Sequence, residues 1–361
     1  MKSPAEPPPP RSPSPRALGS APDLLTGLLR TVSRSFYLTL RVLPAAVRRP
    51  IGLGYLLARA TDTIADTELI PVSARLDALD RLRTRILGQS QGPVDLRQLI
   101  LAQSRIGPEV GSVAERQLLE RIDSAVALLD TLTSSNRAQI REVLATITSG
   151  QELDLQRFRD ASAQRPTALG TDEELADYTY RVAGCVGKFW TEVCHTNLFP
   201  THPVSATALI ADGIRYGQGL QLVNILRDLP KDLRQGRCYL PGDRLRASGL
   251  QPADLLAPAV EPQLRPLYRE LLAQADEHLA AGWRYTCNLP ANQRRLRLGC
   301  AWPVLIGWQT TARLRSTNVL DATQRVKISR PDVYRILAST LWRLPFRNAW
   351  AGLPDRFRAP A

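Results

Sequence analysis

Residues 218–241 read QGLQLVNILRDLPKDLRQGRCYLP. Gln221, Asn224, Asp228 and Asp232 fall three, four and four positions apart. On a helix of 3.6 residues per turn that spacing sets four oxygen-bearing side chains on one stripe. Leu222, Val223, Ile225 and Leu226 lie between them and face other helices. A second stripe sits in YLLARATDTIAD, residues 55–66, where Tyr55, Arg59, Asp62 and Asp66 align beside the apolar run from Ile51 to Ala58. Buried carboxylates are costly unless a cation or donor pairs with them. Taken alone, the Asp62–Asp66 pair reads equally well as a helix surface with an Arg–Asp ion pair. Two such stripes on apolar backgrounds read instead as opposite walls of one cavity. Magnesium takes one or two protein carboxylates and completes its octahedron with phosphate oxygens and water. The walls are therefore expected to clamp a diphosphate through Mg2+, neutralising charge as it leaves, with Arg227 and Arg237 as direct phosphate contacts.

Working outward, helical periodicity dominates from Asp23 onward. Leu76, Leu79, Leu82 and Ile86 form one set, Leu118, Leu119, Ile122, Val126 and Leu129 another, and Ile140, Val143, Leu144 and Ile147 a third. No convincing alternating strand is seen. Thr171-Asp-Glu-Glu opens a helix to about residue 197, and Ser134-Ser-Asn opens one running towards Gln151. Prolines and glycines fall between the segments. Pro230 lies inside the second stripe, where its missing N–H should end or kink the helix. The expected organisation is a disordered Pro-rich tail over 1–22, an all-α domain over 23–344 with a central apolar cavity, and a basic tail over 345–361.

Composition narrows the function classes. The formal net charge is +13, and the only lysines are Lys2, Lys188, Lys231 and Lys327. Arginines are scattered rather than gathered into an arm, which argues against nucleic acid as a partner. The five cysteines are odd in number and lack Cys-x-x-Cys spacing, which suits a reducing cytosol and disfavours disulfides or zinc. No signal-like segment and no run near the ~18 apolar residues of a spanning helix is present. A cytoplasmic protein, at most peripheral at the inner face of the membrane, is expected. The stretch 342–350, Trp-Arg-Leu-Pro-Phe-Arg-Asn-Ala-Trp, is the candidate interfacial segment.

SRSFYLTLRVLP (33–44), YLLARATDTIAD (55–66), YTYRVAGCVG (178–187) and QLVNILRDLPKD (221–232) together resemble the squalene and phytoene synthase family, in its order and at similar separations. The resemblance implies an all-α isoprenoid-synthase fold and head-to-head condensation of two prenyl diphosphates. It makes Asp62 and Asp66 the first aspartate motif, with Tyr55 and Arg59 beside it. Asn224, Asp228 and Asp232 become the second, with Gln221 one turn earlier, and all five of these metal-ligand positions are expected to hold Mg2+. Ser33, Arg34 and Ser35 match a segment near a diphosphate; by itself Ser33 reads as an N-cap. Tyr178 matches a tyrosine proposed to act in cyclopropanation. Arg227 and Arg237 match basic positions near diphosphate or nicotinamide. Lys231 departs from the pattern, which usually has an acidic residue there.

GCAWPVLIGWQTTARL, residues 299–314, resembles the Cys-Ala-x-Pro segment of squalene synthases more than the matching phytoene synthase helix. The leading expectation is therefore squalene synthase: two farnesyl diphosphates joined through presqualene diphosphate, then reduced by NADPH. The alternative omits the reductive step, ending at presqualene diphosphate, dehydrosqualene or phytoene. From another class, an inactive helical assembly factor of the same fold is the alternative. Phe36, Tyr37, Phe189, Trp190, Trp302 and Trp308 are candidate cavity aromatics.

Overall fold

The computed structural model describes residues 24–33, 36–105, 110–201 and 203–358. The tail over 1–22, and with it Arg34 and Ser35, lies outside these residues. In chain order the helices are α1 (Leu29–Ser33), α2 (Phe36–Val42), α3 (Ala45–Asp66), α4 (Val72–Leu87), α5 (Arg97–Arg105), α6 (Val110–Glu120), α7 (Ile122–Ala127) and α8 (Ser134–Arg157). After strand β1 (Thr167–Leu169) come α9 (Asp172–Thr179), α10 (Cys185–Leu198) and α11 (Ala206–Arg234). Strand β2 (Arg237–Pro241) is followed by α12 (Gly242–Ala247), α13 (Glu261–Asn288), α14 (Arg294–Leu314), α15 (Arg330–Arg343) and α16 (Arg347–Ala351). The fold is all-α.

Two apolar cores flank the centre. Leu53, Leu57 and Ile64 of α3 pack with Leu79 and Leu82 of α4 and Ile140 of α8 in the first. The second joins Leu226 and Leu229 of α11 to Leu271 and Leu272 of α13 and Leu305 and Trp308 of α14. The periodic leucines and isoleucines of the sequence are thus the inward faces of their helices. Helices α10 and α11 meet backbone to backbone: a Cβ on Gly187 would lie 1.9 Å from the Gly213 carbonyl oxygen. Glycine alone permits that approach.

Four local features go beyond or differ from the sequence expectation. The N-cap of α8 is Thr133, whose hydroxyl accepts from the Asn136 N–H, and the helix runs past Gln151 to Arg157. The capped Thr171 helix does continue to Leu198, but through a π-helical stretch, Tyr180–Gly184. Pro230 does not end α11, which continues to Arg234. The proline leaves the Leu226 carbonyl without its helical donor, and the buried Tyr268 hydroxyl of α13 donates to that oxygen at 2.9 Å. Last, two strands exist where none was expected. They pair in parallel, Thr167 with Arg237 and Ala168 with Cys238. A glycine turn makes this pairing possible: Gly236 has φ +82°, and a Cβ there would sit 2.5 Å from the Ser162 nitrogen. Strands of three and five residues are too short to show a period.

Residues 345–358 are folded onto the second core. Trp350, Leu353 and Phe357 are buried, and the Arg297 guanidinium lies 5.1 Å from the Trp350 ring centroid.

Candidate active site

A cavity of about 850 Å³ opens between the two cores. Helix α3 lines it with Tyr55, Arg59, Asp62 and Asp66, and α11 with Gln221, Asn224, Arg227, Asp228 and Asp232. Tyr178 from the end of α9 and Arg237 from β2 complete the set read from sequence. Ser33 does not line it. Its side chain is buried with an unpartnered hydroxyl, and the adjacent Val32 carbonyl accepts from the Tyr55 hydroxyl at 3.5 Å. Of the aromatics, Phe189 and Trp190 border the cavity. Trp308 is core, and Trp302 borders a smaller surface pocket, its indole N–H donating to Thr340 Oγ1 at 3.0 Å.

Each wall carries a preoriented Arg–Asp pair. Arg59 Nη1 donates to Asp62 Oδ2 at 2.6 Å, and its Nη2 binds Glu115 of α6. Arg227 grips Asp228 twice, at 2.9 and 2.6 Å. The acids are nonetheless crowded. Burial, then Asp66, pushes the Asp62 carboxyl up to about 6 against the pull of Arg59. Burial raises Asp66 as well, although Arg237, Arg59 and Lys231 oppose it. Burial and the neighbouring Asp228 push Asp232 up to about 7, with Lys231 and Arg237 opposing. Lys231 is exposed, so its ammonium acts on both walls from the rim. Burial works against the Arg237 cation, but Tyr239, Asp154 and Asp66 outweigh it and raise its pKa.

These crowded carboxyls, with the Asn224 amide oxygen beside them, are a hard-donor set suited to magnesium. Among the described residues no three His, Cys, Asp or Glu side chains converge on one point. An ion here would take one or two protein carboxylates and fill its sphere from a bound diphosphate and water. Behind the polar mouth, Ile51, Ala58, Val143, Ile147, Val182, Phe189 and Ile225 make an apolar floor.

Four further residues take part that the sequence reading passed over. Glu115 holds Arg59. Gln151 and Asp154 line the cavity from α8, each with a buried oxygen lacking a partner. Tyr239 lines it from β2. The signal for Asp154 was present: it continues the stripe of Val143, Ile147 and Gly150 by one more turn. Tyr239 follows Arg237 by two positions, the same-face spacing of a strand.

The sequence pattern described as Squalene/phytoene synthase matches residues 29–332. A bifunctional lycopene cyclase/phytoene synthase of Arthroderma gypseum is 27% identical over 90% of this chain and 50% of its own length. A presqualene diphosphate synthase of Zymomonas mobilis is 30% identical over 72% of this chain and 73% of its own. This chain spans about half the length, or less, of the first curated relatives it matches. Among solved structures, TcSQS with the ligand E5700 superposes with a TM-score of 0.71 at 20% identity, covering 91% of this chain and 90% of that one.

Proposed function

Because the chain belongs to the squalene/phytoene synthase family, we propose that it condenses two farnesyl diphosphates head to head through presqualene diphosphate and reduces that intermediate with NADPH to squalene. The observation that carries the condensation is the pair of facing aspartate walls at the mouth of an apolar cavity. Mg2+ held by Asp62, Asp66, Asn224, Asp228 and Asp232 would supply charge neutralisation of the departing diphosphate. Arg59, Arg227 and Arg237 orient that diphosphate and keep it at the mouth. The apolar floor holds the prenyl chains and excludes water, so that carbocations survive until the new bond forms. Phe189 and Trp190 border the cavity and would supply aromatic surface to that charge.

The reductive step rests on the likeness of residues 299–303 to squalene synthases. None of those residues is among the cavity lining; Arg59, Arg227 and Arg237 are its cations, and the resemblance puts Arg227 and Arg237 near NADPH. A second reading omits the reduction, and its support is that the relatives include phytoene and presqualene diphosphate synthases. Purified protein incubated with farnesyl diphosphate and Mg2+, with and without NADPH, separates them by extracted product. Squalene formed only with NADPH is expected. Dehydrosqualene formed regardless of NADPH would sink the reductive reading, and absence of any turnover would sink the condensation.

The reading includes work at a bilayer surface, since the product is a water-insoluble hydrocarbon. On and just after α15, Tyr334, Leu341, Trp342 and Phe346 are 67, 56, 70 and 58% exposed. Arg335 and Arg347 flank them, and no acidic residue occurs from Val333 to Pro354. Among the described residues no helix is long and apolar enough to cross a membrane. The outward aromatics would lie in the interface with arginines at headgroups. Co-sedimentation with phosphatidylglycerol vesicles, lost in a Trp342→Ser/Phe346→Ser variant, is the expected result; equal binding by that variant would refute the assignment.

A further inference from the structure

Trp302 lies away from the large cavity, and the condensation gives no reason for where it sits. It walls a second hollow, of about 300 Å³, together with Arg41 and Val42 of α2, Arg295 of α14 and Leu337 of α15. This hollow shares no lining residue with the cavity of the aspartate walls. Its walls are held in place. The Trp302 indole is tied to α15 through Thr340 Oγ1, and α2 packs on α14 where Val42 Cγ1 approaches Gly299.

The lining is divided in character. Val42, Trp302 and Leu337 make an apolar wall, and Arg41 and Arg295 bring two exposed cations to it. Among the described residues neither arginine forms an ion pair. No Asp or Glu occurs from Leu24 to Thr61, from His278 to Leu320 or from Val333 to Pro354. Asp332, the one acid on the three lining helices, is already held by Arg313 and Arg335. The hollow also continues the exposed aromatic edge. Tyr334, Leu337 and Leu341 follow one another by three and four positions, so Leu337 belongs to the outward stripe of α15.

We propose that this hollow binds one anionic glycerophospholipid, its phosphodiester between Arg41 and Arg295 and the start of an acyl chain against Val42, Trp302 and Leu337. The inference rests on the bilayer reading above and adds to it one lipid class at one place. Guanidinium matches a phosphodiester in charge and in hydrogen-bond geometry. The arginine stems extend the apolar wall while their heads stay in water. A free inorganic anion makes no use of that wall, and a neutral hydrocarbon makes no use of the two cations. A choline headgroup would bring a further positive charge to a face without a carboxylate to receive it.

The test uses the full chain at about 0.15 M salt, in three forms: wild type, Arg41→Gln/Arg295→Gln, and Arg105→Gln/Arg159→Gln. The last removes the same two charges from exposed arginines on α5 and beyond α8. Co-sedimentation with phosphatidylcholine vesicles, with and without phosphatidylglycerol, is the first measurement. The pocket variant should lose about 30-fold in affinity for the phosphatidylglycerol vesicles, and the control variant about threefold or less. Calorimetric titration with dihexanoyl phosphatidylglycerol below its micellar concentration is the second. It should saturate on wild type and on Trp342→Ser/Phe346→Ser, and vanish in the pocket variant. Equal losses in the two arginine variants would reduce the effect to net charge and overturn the site. Equal affinity for dihexanoyl phosphatidylcholine, or for inorganic phosphate, would overturn the lipid assignment. Vesicle binding lost in Trp342→Ser/Phe346→Ser but unchanged in the pocket variant overturns the site alone. A wild type that sediments with neither vesicle overturns it together with the bilayer reading.

Discussion

At the scale of single residues, Asp154 ties stability to pH. Its carboxyl titrates near 6 when folded, above the roughly 3.9 of an unfolded aspartate. The native state thus binds more protons than the unfolded one between those values. Stability should fall as pH rises from about 4 to about 6, with the full deficit present above. Asp154→Asn removes the charge and keeps an acceptor. It should raise unfolding free energy at pH 7.5 by up to about 3 kcal/mol and by little at pH 4. Urea titrations at the two pH values check this; equal gains at both would contradict it. The residues proposed to hold Mg2+ call for a test on function. Asp62→Asn and Asp228→Asn should each cut diphosphate release by about 100-fold or more while the protein stays folded by circular dichroism. Near-normal release in both would show that these walls do not hold the ion.

Among the elements, α11 is the informative one. Tyr268 compensates Pro230, so Tyr268→Phe should cost about 1–3 kcal/mol by leaving the Leu226 carbonyl buried and unmet. In a Pro230→Ala background the alanine N–H can bond that carbonyl, and the same change should cost less. A double-mutant cycle by denaturant unfolding measures the difference; strict additivity would mean the Tyr268 bond does not replace the missing one. This is also where sequence reading stopped short. The stripes of Asp62 and Asp66, and of Asn224, Asp228 and Asp232, were legible because each obeys one helical period on one element. Tyr268 lies thirty-eight positions beyond Pro230, and no local pattern announces a side chain that reaches across to another helix. Asp154 was missed because α8 runs two turns past its expected end. Tyr239 was missed because a five-residue strand has no readable period. The likeness around 299–303 was legible too, yet those residues lie outside the cavity lining, so chain similarity did not report on contact.

On the scale of the whole molecule, the crowded carboxylates imply that ion and anion bind together. Inorganic diphosphate with Mg2+ at about 100 times its dissociation constant should stabilise the protein by roughly 2.7 kcal/mol. Either component alone, or both with excess chelator, should give much less in a thermal shift measurement. A comparable shift from diphosphate alone would assign binding to Arg59, Arg227 and Arg237 without metal. The two cores bear on the same experiment. They face each other across the cavity, and Tyr216 packs against both, its hydroxyl donating to the Cys300 carbonyl at 2.7 Å. A void between two packed halves is a seam where cooperativity is weakest. The free protein should therefore melt with a calorimetric enthalpy exceeding its van't Hoff enthalpy. Once a diphosphate spans α3 and α11, the two values should converge, because the ligand then acts as the mortar between two half-proteins.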